Sequence, residues 1–209
     1  MRNIPDFTCE YGVATLILRE LHQTGRAYCI ARWVRPGLEE GLAEECGRFC
    51  RMAQARESFI SGLELDGEPA FRILRMTGPR PPAGDAHLWP LLPENWESYR
   101  NIYNQAMAPV HGARMLGDAD RDRLLSQGGC HFVHRDSRLL GLGQVEDNCL
   151  SAIVSHIPGQ GAAVAGALLS ISQAEVTALQ VADTNRRAMA LYERLGFTVT
   201  GVAETWWRL

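Results

Sequence analysis

The chain has 209 residues, 46% of them hydrophobic and 22% charged, which suits one large or two small folded domains with buried cores. Its formal net charge is −3, it contains no lysine, and its arginines stand singly or in pairs such as Arg186 and Arg187; without a basic run, a nucleic-acid partner is not expected. Six cysteines occur with no CxxC pair, no apolar run reaches the roughly 20 residues of a membrane span, and the opening MRNIPDF is no charged-then-apolar leader. The expectation is a cytoplasmic protein with reduced thiols and no membrane partner.

In chain order, VATLILREL and RAYCIARWV are rich in β-branched and aromatic residues and read as strands, followed by a turn at Pro36 and Gly37. LEEGLAEECGRFCRMAQA repeats apolar residues at three- and four-residue steps (Leu38, Leu42, Cys46, Phe49, Cys50, Ala53) and reads as a helix, with glutamates in its first turns and arginines toward its end. SFISGLEL and PAFRILRM read as strands. The segment GPRPPAGDA (78–86), with three prolines and two glycines, breaks either period and is expected to be a linker between domains at 1–77 and 87–209.

Beyond it, HLWPLLP reads as a short strand, and ENWESYRNIYNQAM places Trp96, Tyr99, Ile102, Tyr103 and Met107 on one helical face. DADRDRLLSQ is a second helix, capped by Asp118 or Asp120 and stopped by Gly128-Gly129. CHFVHRD and LLGLGQVED form a hairpin around Asp136-Ser137, and CLSAIVSHI follows a turn at Asp147-Asn148. A small-residue turn and helix, the strand EVTALQVA, the helix within DTNRRAMALYERLGF and one or two strands in FTVTGVAETWWRL complete the chain. The strand–helix–strand–helix order implies locally parallel strands with helices on the sheet. In both halves a strand meets a Pro-Gly turn and then a helix and strand, by duplication or by chance.

IPGQGAAVAGALL is nearly all glycine and alanine from Gly159 to Ala167, with Gln160 and Val164 the larger side chains. Bare backbone at a helix N-terminus exposes N–H groups to an anion, several of which must act together because each is worth about 0.3–1 kcal/mol. Close packing of a helix on a sheet would use the same residues. No GK[ST] follows and GxGxxG is not matched, so neither a P-loop nor a dinucleotide fingerprint is present. Cys130, His131 and His134 lie close together, but strand alternation puts His131 on the opposite face from the other two, so no metal is expected.

Two segments combine. QGAAVA before a helix, followed by Asn185, Ala188, Leu191, Tyr192, Glu193, Gly196 and Phe197 in the spacing N-x-x-A-x-x-L-Y-E-x-x-G-F, resembles the GCN5-related N-acetyltransferase (GNAT) superfamily, whose cofactor loop follows Q/R-x-x-G-x-G/A. Gln160 and Ala165 fit that loop, and Ala163 stands where glycine is usual. The resemblance covers about 87–209 and implies an α/β fold: a mixed central sheet flanked by helices, preceded by a smaller, partial or degenerate module of the same kind. It implies direct acetyl transfer from acetyl-CoA to an amine acceptor. The pantetheine arm would pair with backbone at Val154, Ser155 and His156, and the pyrophosphate with Gln160, Gly161, Ala162, Ala163, Val164, Ala165 and Gly166; Asn185 would contact the cofactor and Tyr192 would protonate the departing thiolate. For the base, Glu146, His156 and a water chain stay open, with Glu146 the residue chosen. A homodimer is compatible with this reading, as is a non-catalytic acyl-CoA-binding or regulatory protein of the same fold.

Overall fold

Residues 5–82 and 84–209 are described by the computed structural model. The first four residues, part of the opening read above for a leader, and Ala83 of the expected linker lie outside the described residues. The chain forms two compact units, Met1–Ile73 with Val202–Leu209, and Leu74–Gly201.

In the first unit, β1 (Asp6–Cys9) and β2 (Gly12–Ile17) make an antiparallel hairpin. The four-residue α1 (Leu21–Thr24) ends at Gly25, whose left-handed φ of 74° suits glycine. β3 (Arg26–Val34) pairs antiparallel with β2, and α2 (Glu39–Met52) crosses over to β4 (Glu57–Ser61), which lies parallel to β3. The expected strand SFISGLEL stops at Ser61 because Gly62 takes a φ of 85° and turns the chain out of the ladder. The buried face of α2 carries Leu42, Ala43, Cys46 and Cys50, packed on Ala14, Leu16, Cys29 and Ile60. The Cys29 and Cys50 sulfurs lie 3.6 Å apart, and all six cysteines are free thiols.

β5 (Phe71–Pro79) leads from the first unit into the second, and the last strand, β11 (Thr198–Arg208), leads back, one strand where one or two were expected. Segment 78–86 therefore falls inside the second unit instead of linking two units. Gly78 and Pro79 end β5, and the Arg80 N–H donates to the Glu175 carbonyl at 2.9 Å while its Nη1 donates to the Ser172 carbonyl at 2.7 Å. Prolines lack ladder donors, but the chain around them is tied down by other hydrogen bonds.

The second unit holds β6 (His87–Pro90), α3 (Trp96–Met107), α4 (Asp118–Gln127), β7 (Cys130–Arg135), β8 (Arg138–Glu146) and β9 (Cys149–Ser155), then α5 (Gly161–Leu169), β10 (Val176–Ala182) and α6 (Arg186–Arg194). β6 to β9 form an antiparallel run, and β10 joins β9 in parallel. Asp136 and Ser137 (φ 49° and 60°), like Asp147 and Asn148 (φ 46° and 65°), are left-handed pairs of the kind that close two-residue hairpins. On α4, Asp120 acts from inside the helix, its Oδ2 accepting from the Gly117 N–H at 3.0 Å. On α5, Val164, Leu168 and Leu169 are fully buried among Val133, Leu140, Leu150 and Leu179; each such side chain contributes about 1.5–3 kcal/mol by burial.

Candidate functional site

The parallel pair β9 and β10 is bonded at only two register positions, Ala178 with Cys149 and Leu179 with Leu150. β9 continues to Ser155 and β10 to Ala182, so beyond Leu150 the strands part and leave backbone groups of β9 facing a gap. The His156 N–H donates to the Leu140 carbonyl at 2.8 Å, toward β8. Backbone groups alternate along a strand, so the Val154 N–H also faces β8, whereas that of Ser155 faces the gap. Of the expected trio Val154, Ser155 and His156, only Ser155 has its N–H directed away from β8.

Past β9, Ile157 to Gln160 turn the chain into α5. Gln160 is the N-cap, and neither a side-chain cap nor an acidic residue occupies the first turn. The N–H groups of Gly161, Ala162 and Ala163 are the ones a helix leaves without an internal acceptor. Val164 already donates to the Gln160 carbonyl at 3.0 Å, and Val164, Ala165 and Gly166 are buried. The expected cradle from Gly161 to Gly166 thus narrows to its first three residues. Gly161 also has a packing role: a Cβ there would come within 2.9 Å of Leu191 Cδ2, so the missing side chain lets α6 lie against the start of α5. Of the two alternatives for this glycine–alanine segment, close packing is observed at Gly161.

A residue that composition and spacing did not single out stands at this helix end. Arg135, the last residue of β7, donates through Nη2 to Gln160 Oε1 and through Nη1 to Asp85 Oδ1 at 3.1 Å. Its guanidinium, ion-paired with Asp85, brings N–H donors beside a helix N-terminus that favours anions.

On α6, Asn185 caps the helix, with its Oδ1 accepting from the Ala188 N–H at 3.2 Å. Tyr192 is 5% exposed, belongs to the apolar cluster that holds Leu150 and Leu179, and sits with its ring centroid 6.1 Å from that of Phe197. Burial pushes its pKa well above that of free tyrosine, so the hydroxyl stays protonated at neutral pH. Both interpretations of this tyrosine, packing and proton donation, are compatible with that position.

Glu146 is not brought to the α5 end. It lies opposite Cys149 where β8 turns into β9, with its Oε1 accepting from Gln144 Nε2 at 2.5 Å. From Cys149 to Ser155 the strand runs roughly 20 Å, so Glu146 and the α5 N-terminus mark opposite ends of β9, with Glu146 at the end where β9 and β10 are still paired. His156 is exposed at the other end. Among the described residues no cluster of three or more His, Cys, Asp or Glu is arranged to hold a metal ion, and no helix is long and apolar enough to cross a membrane.

No model of a known protein family matches the chain, and no curated protein matches it in sequence. Solved structures do match. A GCN5-related N-acetyltransferase from Kribbella flavida aligns with 97% of this chain and 88% of its own, at 14% identity and a TM-score of 0.59. One from Sphaerobacter thermophilus aligns with 94% of this chain and 76% of its own, at 15% identity and a TM-score of 0.53. A tandem GNAT protein from the clavulanic acid biosynthesis pathway aligns with 95% and 78%, at 13% identity and a TM-score of 0.50. At such identities the likeness is one of fold. With parallel strands that part beside a small-residue helix N-terminus, and a second helix packed on that N-terminus, the chain has the fold of the GCN5-related N-acetyltransferase superfamily.

Proposed function

We propose that the protein is an acetyl-CoA-dependent N-acetyltransferase that moves the acetyl group directly to a primary amine. The observation that carries this reading is the N-terminus of α5, where three N–H groups without helical acceptors, no first-turn acid and the Arg135 guanidinium meet beside the parted strands. These groups suit a diphosphate. When bound, acetyl-CoA supplies an activated acyl group and a thiolate leaving group.

The chain's own residues then divide the work. Gly161, Ala162 and Ala163 donate to phosphate oxygens, and Gln160 is held in place by Arg135. Ser155 offers its N–H to the pantetheine amides along the gap, and Asn185 offers Nδ2. Tyr192, held neutral by burial, is the proton donor to the leaving sulfur. Glu146, at the paired end of β9, is the carboxylate assigned to take the amine proton directly or through water. The likeness to a tandem GNAT protein supports reading the first unit as a partial module of the same kind.

Calorimetry with acetyl-CoA and CoA, followed by thiol release over a panel of amines, tests the reading. Saturable binding with amine-dependent thiol release is expected. Binding without release would identify the non-catalytic alternative, and absence of binding would remove both.

A further inference from the structure

The first unit gathers three of the six cysteines at one place, and the function proposed above uses none of them. Cys29 lies in the middle of β3, and Cys46 and Cys50 stand one turn apart on the buried face of α2. All three are fully buried. The Cys29 and Cys50 sulfurs are 3.6 Å apart and in contact, although the two residues are 21 positions apart and belong to different elements.

A single buried thiol behaves as a small, inert hydrophobe. Two in contact differ, because once one is oxidised the other can attack it without diffusing. A disulfide bond measures about 2.05 Å, so the sulfurs need to approach by about 1.5 Å in all, which small side-chain rotations supply. The two thiols are also unlike. Donation from the Cys29 thiol leads the causes that lower the Cys50 pKa, and the Arg51 charge adds to it; Cys29, bonded to Cys46 and Cys50 and buried, keeps its proton. Cys50 stands in the last turn of α2, two residues before the exposed Met52, where a helix opens at least cost and a water-sized oxidant can enter.

We infer that Cys29 and Cys50 form a site of reversible oxidative modification, a disulfide made with hydrogen peroxide as the two-electron oxidant. The Cys50 sulfur attacks one peroxide oxygen, the O–O bond breaks, and the other oxygen leaves as water with the Cys50 proton; Cys50 is then a sulfenic acid. The Cys29 sulfur attacks that sulfur, the S–O bond breaks, and the hydroxide departs as water with the Cys29 proton. Two thiols and one hydrogen peroxide thus give one disulfide and two waters. A small dithiol reverses the bond by exchange. The product ties the end of α2 to the middle of β3 across 21 positions of chain, which restricts the unfolded state. The site lies within the first unit and is independent of the acetyl-CoA reading, so either can fail without the other.

The test treats the full-length, reduced, folded protein with hydrogen peroxide, blocks the remaining thiols with N-ethylmaleimide, and maps disulfides by mass spectrometry after trypsin. Cleavage at arginine puts Cys29 in 27–32, Cys46 in 33–48 and Cys50 in 49–51, so the map separates the two α2 thiols. Peptides 27–32 and 49–51 should appear joined, lighter by two hydrogen atoms than their reduced sum, and should separate after dithiothreitol. Cys46→Ala should keep the link, and Cys50→Ser should lose it. No link at a peroxide dose that fully oxidises free glutathione in a parallel sample, a link from Cys29 to Cys46 instead, or Cys50 carried to sulfinic acid without pairing would overturn the assignment.

Discussion

The two units each contain a parallel strand pair joined through a Pro-Gly turn and a crossover helix, and they differ at the two places where a cofactor would enter. In the first unit β3 and β4 stay paired over five register positions, from Arg26 with Glu57 to Ile30 with Ser61. In the second, β9 and β10 hold two positions and part. The helix starts differ in the same sense. α2 begins with Glu39 and Glu40, and Glu39 accepts from the Gly37 N–H at 3.3 Å, so its own carboxylates occupy the positive end of the dipole. α5 begins with Gly161, Ala162 and Ala163 and leaves that end open. One arrangement thus serves stability and the other leaves unspent binding capacity. Only the second unit combines an unfilled helix N-terminus with strands that part.

Transplanting the acidic turn is the most direct way to break this contrast. Ala162→Glu with Ala163→Glu should reduce CoA affinity about a thousandfold or more, because each carboxylate placed within several ångströms of phosphate costs a few kcal/mol near a protein surface. Ala162 is exposed, whereas Ala163 packs at the edge of the apolar cluster, so circular dichroism checks the fold of the double variant, Ala162→Glu alone serves as the surface control, and calorimetry should report the lost binding in both. Unchanged affinity would place the cofactor elsewhere.

A second test concerns α6, which follows the open pair and has no counterpart after β4, where the chain instead runs through 62–70 into β5. Tyr192→Phe keeps the ring in its apolar cluster and removes the proton. Turnover should fall about a hundredfold with little change in CoA affinity. The pH profile sharpens the point. Burial raises the tyrosine's pKa, so its neutral, proton-donating form persists to higher pH than in free tyrosine, and an alkaline fall in kcat near 10 would argue against this residue as the donor.

Much of this was legible in the sequence, and the reasons are physical. The α6 spacing, the two Asp/Ser and Asp/Asn turns and the glycine–alanine start of α5 are local patterns, set by a helix or turn period within about ten residues. What escaped depends on contacts between distant segments. Arg135 meets Gln160 only because β7 ends beside the start of α5, 25 residues later. Which of Val154, Ser155 and His156 faces the gap follows from the phase of the β8–β9 ladder, which a one-residue shift would invert. The proline-rich 78–86 segment carries every local mark of a linker, yet Arg80 is bonded to Ser172 and Glu175, and Asp85 to Arg135, all distant in the sequence.

The acidic start of α2 allows a reciprocal test of smaller effect. Glu39→Gln and Glu40→Gln should each cost about 0.3–1 kcal/mol in chemical denaturation, through loss of favourable charge at the helix N-terminus. No second CoA site should appear in calorimetry, because the β3–β4 ladder remains closed; a gained site would show that the acids alone had blocked it.

The smallest effect is expected at the first rung of that closed ladder. Arg26 and Glu57 are register partners and also an ion pair, Arg26 Nε to Glu57 Oε2 at 3.0 Å, with Arg208 Nη2 at 3.2 Å from Oε1. The corresponding rungs of the open pair are uncharged. The Arg26 hydrogen bond leads the causes that hold the Glu57 carboxyl below its usual pKa. A carboxyl depressed in the folded state contributes stability above its unfolded pKa, about 4.3, and loses it as pH falls through the folded value. At neutral pH Glu57→Gln should therefore cost about 0.2–1 kcal/mol, since the pair is partly solvated and screened. The wild type and the variant should converge in stability as the pH drops below 4.3 toward the depressed value, and urea titrations at pH 7 and pH 3 would show it. A constant difference across that range would mean that the closed ladder owes nothing to this charge pair, and that β-branched and aromatic packing alone keeps β3 and β4 together.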